Sequence, residues 1–383
     1  MKEKVYQYSL CLFAFSMAFE PDWSSKTLIL TSFFALFNIK FNREVFKKLP
    51  FAILCILALY VVLNIVFITR EADFSFFPFL GLLFLFFLLF TNTSIEIKSK
   101  EWILFSFVAG VFVVGLFNLF FSFFRSSGAM ITFFNSWETT AIIDIQKIYY
   151  AMYLNMAYAI CLVGLQKGRI KYRLVYITIL TALTVVLLIY SGAMSGIILF
   201  VVINALMLLQ LAKKWVRFFF VISFITFPMV FLLLLSKQMT QDFFSQIDGE
   251  NSRIRNYNVN MELILAAPIF GYGLGKERQT MQANRNEKSW EYKNNYHAHN
   301  QYFESLLGGG VILLLLILSL LALLLRKALF NTASVYATSF VVILLYSFLI
   351  ESILRRHHGI LFFSFFLFLL YFYDVGTSNK RIK

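Results

Sequence analysis

Long uninterrupted apolar runs, separated by short polar connections, dominate the chain. Most runs approach the roughly 20 residues that an α-helix needs to cross a bilayer, whereas membrane β-strands would be short and alternating. The pattern therefore predicts about twelve membrane-spanning helices. These predicted spans are 5–20, 26–41, 49–69, 74–91, 102–124, 148–166, 174–190, 193–212, 218–236, 301–325, 332–352 and 359–373. Since no small-residue cleavage site follows the first run, we expect it to be a retained span.

Composition and charge agree with this reading. The 383 residues are 60% hydrophobic and only 14% charged, which excludes an ordinary soluble domain and indicates an all-α polytopic membrane protein. Lysine and arginine concentrate in alternate connections, so both termini are predicted to be cytoplasmic. The net charge of +14 is then explained by this topological signal and by attraction to anionic membrane lipids. No nucleic-acid partner is expected.

One connection is much longer than neighbouring helices require. Residues 237–300 are predicted to lie outside, between an N-terminal bundle of nine helices at 1–236 and a three-helix segment at 301–383. Within this loop, helical spacing of apolar residues predicts an amphipathic helix on the outer membrane face, ended by Pro268. Those apolar residues are Ile254, Tyr257, Met261, Ile264 and Leu265.

A glycine-spaced turn follows at Gly271, Gly273 and Gly275. A dinucleotide-binding reading is rejected, because that fingerprint needs a strand before it and a parallel sheet around it. We expect the glycines to let the backbone bend sharply and approach a ligand or helix ends.

Polar residues cluster where the loop meets the next apolar run, in the stretch His297-Ala-His299-Asn300-Gln-Tyr302-Phe-Glu304. A neutral imidazole can accept a proton, and the positive end of a helix dipole disfavours imidazolium at His299. The alternatives are ordinary. A histidine here can be an interfacial anchor, Asn300 and Tyr302 can cap and pack the helix start, and Glu304 inside an apolar helix calls for a partner.

The ordered pattern is similar to the O-antigen ligase and polymerase superfamily. The residues that carry the resemblance are Arg253, Tyr257, Pro268, Gly271, Gly273, Gly275, His299, Asn300, Tyr302 and Gly310. The similarity is concentrated in residues 252–311.

This resemblance implies a GT-C-like scaffold in the cytoplasmic membrane and an inverting glycosyl transfer on its extracytoplasmic face, with no metal or other cofactor. The donor would be a glycan on undecaprenyl diphosphate, and the acceptor a sugar hydroxyl on lipid A–core or on a second lipid-linked glycan. The resemblance gives His299 the catalytic role and Arg253 a role at the donor diphosphate. A planar guanidinium suits that role, because it binds phosphate oxygens bidentately.

Further residues are candidates for substrate binding: Arg255, Asn300, Tyr302, Glu304, His297, Arg70 and Lys147. The last two are considered because many members of the superfamily carry a Ser-Arg pair at an outer turn, where this chain has Ser191-Gly192. Arg355 and Arg356 are further sources of the missing cation. Relatives also often begin the sixth span with a His-Pro-x-Tyr-like segment, and this chain has Gln146-Lys147-Ile-Tyr149 instead.

Two other functional classes stay open at this point. A flippase or other transporter of lipid-linked glycans would also use about twelve spans, although it should show repeated halves and broken helices. A metal-dependent glycosyltransferase would use acidic pairs in early outer loops, for which Glu20 with Asp22 and Glu71 with Asp73 have the right character. The sequence does not separate ligase from polymerase.

Overall fold

The computed structural model describes residues 2–37, 46–70, 76–91, 97–125, 143–167, 172–210, 252–330 and 335–372. Within these ranges the chain is helical and has no β-strand. The helices are α1 Lys2–Ser16, α2 Pro21–Leu36, α3 Leu49–Asn64, α4 Phe77–Thr91, α5 Ile97–Arg125, α6 Lys147–Lys167, α7 Arg173–Ser191, α8 Met194–Gln210, α9 Ser252–Ala266, α10 Glu277–Ala283, α11 Trp290–Lys293, α12 Gln301–Phe330, α13 Val335–Ile350 and α14 His357–Phe372. A π-helical turn, Ile65–Thr69, extends α3, and a 3-10 turn, Ile353–Arg355, precedes α14.

The predicted spans, apart from the ninth, overlap the helices α1 to α8 and α12 to α14. That span, 218–236, lies outside the described residues, as do positions 237–251 of the loop. Among the residues that the structure describes, four helical segments are long and apolar enough to cross a membrane: Leu49–Thr69, Lys100–Ser122, Lys147–Leu165 and Gln301–Ala328. Helices α4, α7, α8, α13 and α14 contribute shorter apolar segments. The prediction of an all-α membrane protein is confirmed for the described part of the chain.

Helix α14 lies at the centre of the bundle, with every side chain from 358 to 370 buried. Phenylalanine rings fill the spaces around it. Phe365 contacts Phe13 and Phe86 at centroid distances of 5.5 and 5.8 Å, and Phe366 meets Phe107 edge-on at 4.9 Å. Because lipid tails are as apolar as these side chains, close ring packing holds the helices together here.

Residues 252–300 cover one end of the bundle, which we call the loop end. A helix, α9, lies where the amphipathic helix is predicted, and Pro268 follows shortly after its last residue. Four of the five predicted apolar residues are exposed, from Met261 at 38% to Leu265 at 73%, whereas Ile264 at 7% is buried on the same side as Asn256 and Asn260. This arrangement suits a helix that turns most of its apolar residues toward lipid and packs Ile264 and the two asparagines against the protein.

The glycine turn packs into a break in α12. At Gly310 the backbone has φ 62° and ψ −165°, a conformation essentially confined to glycine, and this interrupts the helix. The turn supplies replacement hydrogen bonds: Tyr272 N donates to Leu307 O at 2.7 Å, and Gly273 N to Gly308 O at 3.0 Å. A side chain at Gly271 would lie 2.5 Å from Leu307 O. The expected close approach of the glycines to helix ends is therefore confirmed.

Helix α3 holds the other side of the same turn. The Asn64 side chain accepts a hydrogen bond from Leu274 N at 2.9 Å and donates to Phe270 O at 3.2 Å. Thr69 Oγ1 donates to Leu274 O at 3.2 Å. These bonds tie the loop end to the membrane bundle, so the start of α12 has a fixed position.

Candidate active site

His299 occupies a constrained position immediately before α12. Its backbone is left-handed, with φ 49°, which is uncommon for a residue other than glycine. The next residue, Asn300, caps the helix: its Oδ1 accepts hydrogen bonds from Tyr302 N at 2.9 Å and Phe303 N at 3.2 Å. The cap and the turn together fix the direction in which the imidazole leaves the backbone.

A buried carboxylate orients that imidazole. His299 Nδ1 lies 2.9 Å from Oε2 of Glu351, in the turn that follows α13, where the Glu351 side chain is 6% exposed. Burial raises the pKa of Glu351, but hydrogen bonding to His299 and the nearby imidazoles outweigh burial and lower it overall. Because an ionised carboxylate only accepts hydrogen bonds, Nδ1 carries the imidazole proton. Nε2, at the far side of the ring, then holds the lone pair.

Two further rings pack beside His299. The His297 ring stacks on it with centroids 3.7 Å apart, and the Tyr296 ring lies 4.1 Å away. Burial, the charge of His299 and the nearby Arg356 and Arg278 together lower the pKa of His297 to about 4, although Glu351 acts in the opposite direction. His297 is therefore neutral at neutral pH. Asn256 Nδ2 donates to His297 O at 3.0 Å and anchors this segment to α9.

A cavity of about 140 Å³ opens beside His299. It is lined by Asn256, Tyr257, Ala298, His299, Asn300, Phe303, Leu349 and Ile350. Polar groups and apolar side chains share the lining, and Leu349 at its edge is 55% exposed. The cavity thus places the histidine where a polar group attached to an apolar chain can reach it.

A larger cleft of about 570 Å³ lies farther out, within the layer formed by residues 252–300. Its lining residues are Gly275, Arg278, Gln279, Gln282, Ala283, Arg285, Glu287, Tyr292 and Asn295. Arg285 links it to the histidines, since its guanidinium donates to Tyr296 O at 2.5 Å and to Gln282 Oε1 at 3.3 Å. Amide, guanidinium and phenol groups in one open cleft suit a ligand rich in hydroxyl groups.

Glu304, which the sequence indicated must have a partner, finds it in Arg355. The guanidinium pairs with both Glu304 and Glu277, and Ser352 Oγ donates to Glu304 Oε2 at 3.1 Å. Burial raises the pKa of Glu277 to about 7, with Glu304 adding to the rise and Arg355 opposing it. This network joins α10, α12 and the turn before α14, and it lies around a small cavity of its own, apart from the cavity at His299.

Three other predicted site residues, Arg253, Arg255 and Tyr302, lie on the helices α9 and α12. Arg253 is in the first turn of α9, and its side chain lies outside the described part of the structure. Arg255 donates through Nε to the buried Glu291 at 3.0 Å, which gives it a structural partner. Tyr302 donates to Leu345 O at 2.9 Å and packs between α12 and α13.

The candidate cations lie around the loop end. Arg70 is exposed, has φ 55° and follows Thr69, which holds the glycine turn. Lys147 begins α6 with an exposed side chain. Arg356 acts electrostatically on His297 and on the Tyr149 hydroxyl, which places it in the neighbourhood of the histidines.

The turn between α7 and α8 shows why an arginine is absent there. Gly192 has φ 64° and ends α7, with its N–H donating to Ile189 O at 3.0 Å. A glycine in this left-handed position closes the helix without strain. The cation expected from the resemblance is replaced by a tight helix cap.

Sequence reasoning missed Glu351, Tyr296 and Arg285. Glu351 carried a usable signal, because an acidic residue at the end of an apolar run is costly and points to a function or a partner. Of the acidic pairs considered earlier, Glu71 and Asp73 lie outside the described residues. Asp22 is exposed and 3.8 Å from Lys26.

Comparison with known proteins supports the resemblance. The family model described as O-antigen ligase matches residues 177–318, a stretch that includes α8 to α11, most of α7, the glycine turn, His299 and the first part of α12. A search of the curated proteins finds no match.

Proposed function

We propose that this protein is a membrane glycosyltransferase of cell-surface polysaccharide assembly, because residues 177–318 match the family model described as O-antigen ligase. The proposed donor is a glycan on undecaprenyl diphosphate, and the acceptor is a sugar hydroxyl on lipid A–core or on a second lipid-linked glycan. The proposed reaction takes place on the extracytoplasmic face of the cytoplasmic membrane, at the loop end of the bundle, and inverts the anomeric centre. It uses no metal.

The observation that carries this proposal is the His299–Glu351 pair beside a cavity. With Nδ1 bonded to Glu351, Nε2 is the atom that accepts the proton of the acceptor hydroxyl. The acceptor oxygen then bonds to the anomeric carbon while the bond from that carbon to the diphosphate oxygen breaks. Glu351 stabilises the imidazolium that forms, as a carboxylate does in other histidine-based sites.

Charge builds up on the departing diphosphate, and we assign its stabilisation to Arg253 with Arg356. Arg253 precedes Tyr257 by four residues on α9, and this spacing puts both positions on one helix face. Tyr257 lines the cavity at His299. Arg356 supplies the second cation, because it is electrostatically coupled to His297 in the same cluster.

The two openings suit the two substrates. The cavity at His299 has an apolar side at Phe303, Leu349 and Ile350, which fits a donor whose sugar is attached to a polyprenyl chain. The outer cleft presents Gln279, Gln282 and other polar groups, which fit the hydroxyl groups of a glycan. We place the acceptor glycan there, with its reactive hydroxyl directed toward His299.

Reconstitution tests the proposal. The purified protein is placed in proteoliposomes with an undecaprenyl diphosphate-linked glycan and with either lipid A–core or a second lipid-linked glycan. We expect transfer to one acceptor class, retained after treatment with EDTA. Transfer to lipid A–core identifies a ligase, and lengthened lipid-linked glycan identifies a polymerase. Absence of product with both acceptors, from folded protein and intact donor, would contradict the proposed activity.

A further inference from the structure

Three side chains of the kinds that bind metal ions lie close together at the loop end, although a catalytic base needs only two of them. A nitrogen from each of His297 and His299 and a carboxylate oxygen of Glu351 all lie within 4.8 Å of one another. A base needs one imidazole and one orienting carboxylate. His297 adds a second imidazole, whose Nε2 lies 3.6 Å from Glu351 Oε1, beyond hydrogen-bond distance.

We propose that His297, His299 and Glu351 form a reversible binding site for a divalent transition metal of the Zn²⁺ type, and that an occupied site blocks glycosyl transfer. The binding part of this proposal stands on geometry alone. The blocking part rests on the function proposed above.

The ligand set and its spacing fit such a metal. Two imidazoles and one carboxylate leave a fourth position for water, an arrangement typical of zinc sites. Ligands about 2.1 Å from a tetrahedral metal are roughly 3.4 Å apart. The nitrogen–oxygen distances here are 2.9 Å from His299 to Oε2 of Glu351 and 3.6 Å from His297 to Oε1. The two imidazole rings are stacked with centroids 3.7 Å apart, so they must rotate to direct both nitrogens at one ion.

A metal ion can reach the three side chains from the surface, and a hydrogen bond holds the Glu351 carboxylate in place. The side chains of His297 and His299 are 16% and 21% exposed, so an ion can reach them from the surface. Glu351 Oε1 accepts a hydrogen bond from Ser352 N at 3.0 Å, which fixes the carboxylate as the outer partners of metal ligands do.

Positive charge near the three side chains makes metal binding reversible. Arg278 and Arg356 act electrostatically on His297, and two guanidinium groups oppose an incoming dication. We therefore expect moderate affinity, removable by a chelator, and no permanently bound cofactor.

A bound metal blocks glycosyl transfer because it changes the tautomer of His299. Coordination through Nδ1 of His299 moves the imidazole proton to Nε2, which then has no lone pair for the acceptor hydroxyl. The metal also takes the Glu351 carboxylate, which otherwise stabilises the imidazolium.

Co²⁺ tests binding directly, because its visible d–d absorption reports coordination by nitrogen and oxygen. The EDTA-treated full-length protein is titrated with Co²⁺ in detergent micelles. We expect saturable absorption at one Co²⁺ per chain, displaced by Zn²⁺, abolished by His297→Ala and kept by His357→Ala. The second variant is a matched control, because His357 contacts Ser24 and lies outside the cluster.

A second measurement avoids dependence on folding of the variants. Zn²⁺ should raise the Tm of the parent protein and of His357→Ala, since a ligand that binds only the folded state stabilises it. Absence of Co²⁺ absorption in the parent, or its persistence in folded His297→Ala, would overturn the metal site and leave the proposed transferase function untouched.

Activity tests blocking separately. We expect Zn²⁺ to inhibit glycosyl transfer by the parent and by His357→Ala, with recovery after EDTA. Unchanged transfer at Zn²⁺ concentrations that saturate the site would refute blocking. An EDTA-treated enzyme that regains activity only with Zn²⁺ would refute blocking too and would contradict metal-independent transfer.

Discussion

Two histidine pairs lie at the loop end, each at the start of an apolar helix, and their surroundings differ. His357 and His358 begin α14 and bind uncharged groups. His357 Nε2 lies 2.8 Å from Ser24 Oγ, and His358 Nε2 lies 2.8 Å from Phe19 O. His358 O also accepts a hydrogen bond from Tyr153 at 2.7 Å. This pair joins α14 to α6 and to the α1–α2 turn.

His297 and His299 precede α12 and face a carboxylate. Glu351 orients His299, and a cavity opens beside the ring. The comparison teaches that a position at the start of a membrane helix does not make a histidine a base. An ionised partner that fixes the tautomer, together with a cavity beside the imidazole, supplies that property.

The largest expected effect is a difference in the rate of glycosyl transfer between variants of the two histidine pairs. His299→Ala should lower the rate of glycosyl transfer by about 10²- to 10⁴-fold, the usual contribution of general base catalysis. His357→Ala should transfer glycan at close to the parent rate. Turnover of both variants is measured in proteoliposomes after gel filtration shows them folded. Parent-like turnover by His299→Ala would remove the distinction between the pairs.

Glu351→Gln tests the feature that distinguishes the catalytic pair. The amide keeps the shape of the side chain but carries no charge, so we expect kcat to fall by about 10²-fold, the lower end of the contribution of general base catalysis. Turnover of the folded variant is compared with that of the parent in proteoliposomes. An unchanged kcat would mean that the carboxylate has no part in the reaction.

The variant Arg253→Lys tests whether Arg253 binds the diphosphate of the donor. Loss of bidentate binding to the diphosphate should lower transfer about tenfold, equivalent to one charge-assisted hydrogen bond of about 1.5 kcal/mol. The exposed Lys288→Arg exchange is the control and should be neutral. Initial rates at saturating acceptor are compared. Equal rates for Arg253→Lys and the parent would exclude Arg253 from the site.

The smallest effect concerns stability and belongs to the network around Arg355. Since burial raises the pKa of Glu277 to about 7, the protonated form is favoured in the folded protein. The stability this contributes is complete below the ordinary pKa of 4.5 and is lost as pH rises through about 7.

Glu277→Gln imitates the protonated carboxyl. Its Tm should equal that of the parent near about pH 5 and exceed it by a few degrees, roughly 2–4 °C, near about pH 8. The exposed Glu287→Gln is the control and should follow the parent at both values. A lower Tm for Glu277→Gln at the higher pH would mean that the ionised pair with Arg355 is the stabilising form.

Local patterns predicted much of this molecule. Apolar length located the membrane helices, and helical spacing with Pro268 located α9 within one or two residues. The order of glycines, His299, Asn300 and Tyr302 pointed to the family that the comparison then matched. These features depend on residues close together in the chain, which a linear pattern can report.

Contacts between distant segments were not predictable in the same way. Glu351 is 52 positions from His299, and they meet only because α13 packs against α12 and ends beside its start. The break at Gly310 likewise depends on the glycine turn, about 40 positions earlier, filling the gap. The position of Glu304 inside an apolar helix predicted that it has a partner, but only the fold identified Arg355 as that partner.

The most direct test of the central claim is a double-mutant cycle on His299 and Glu351, read as turnover in proteoliposomes. If Glu351 acts through the imidazole, Glu351→Gln lowers turnover in the parent and has no further effect in the His299→Ala background. Independent, multiplicative losses in the double variant would show that the carboxylate and the histidine do not work as one unit.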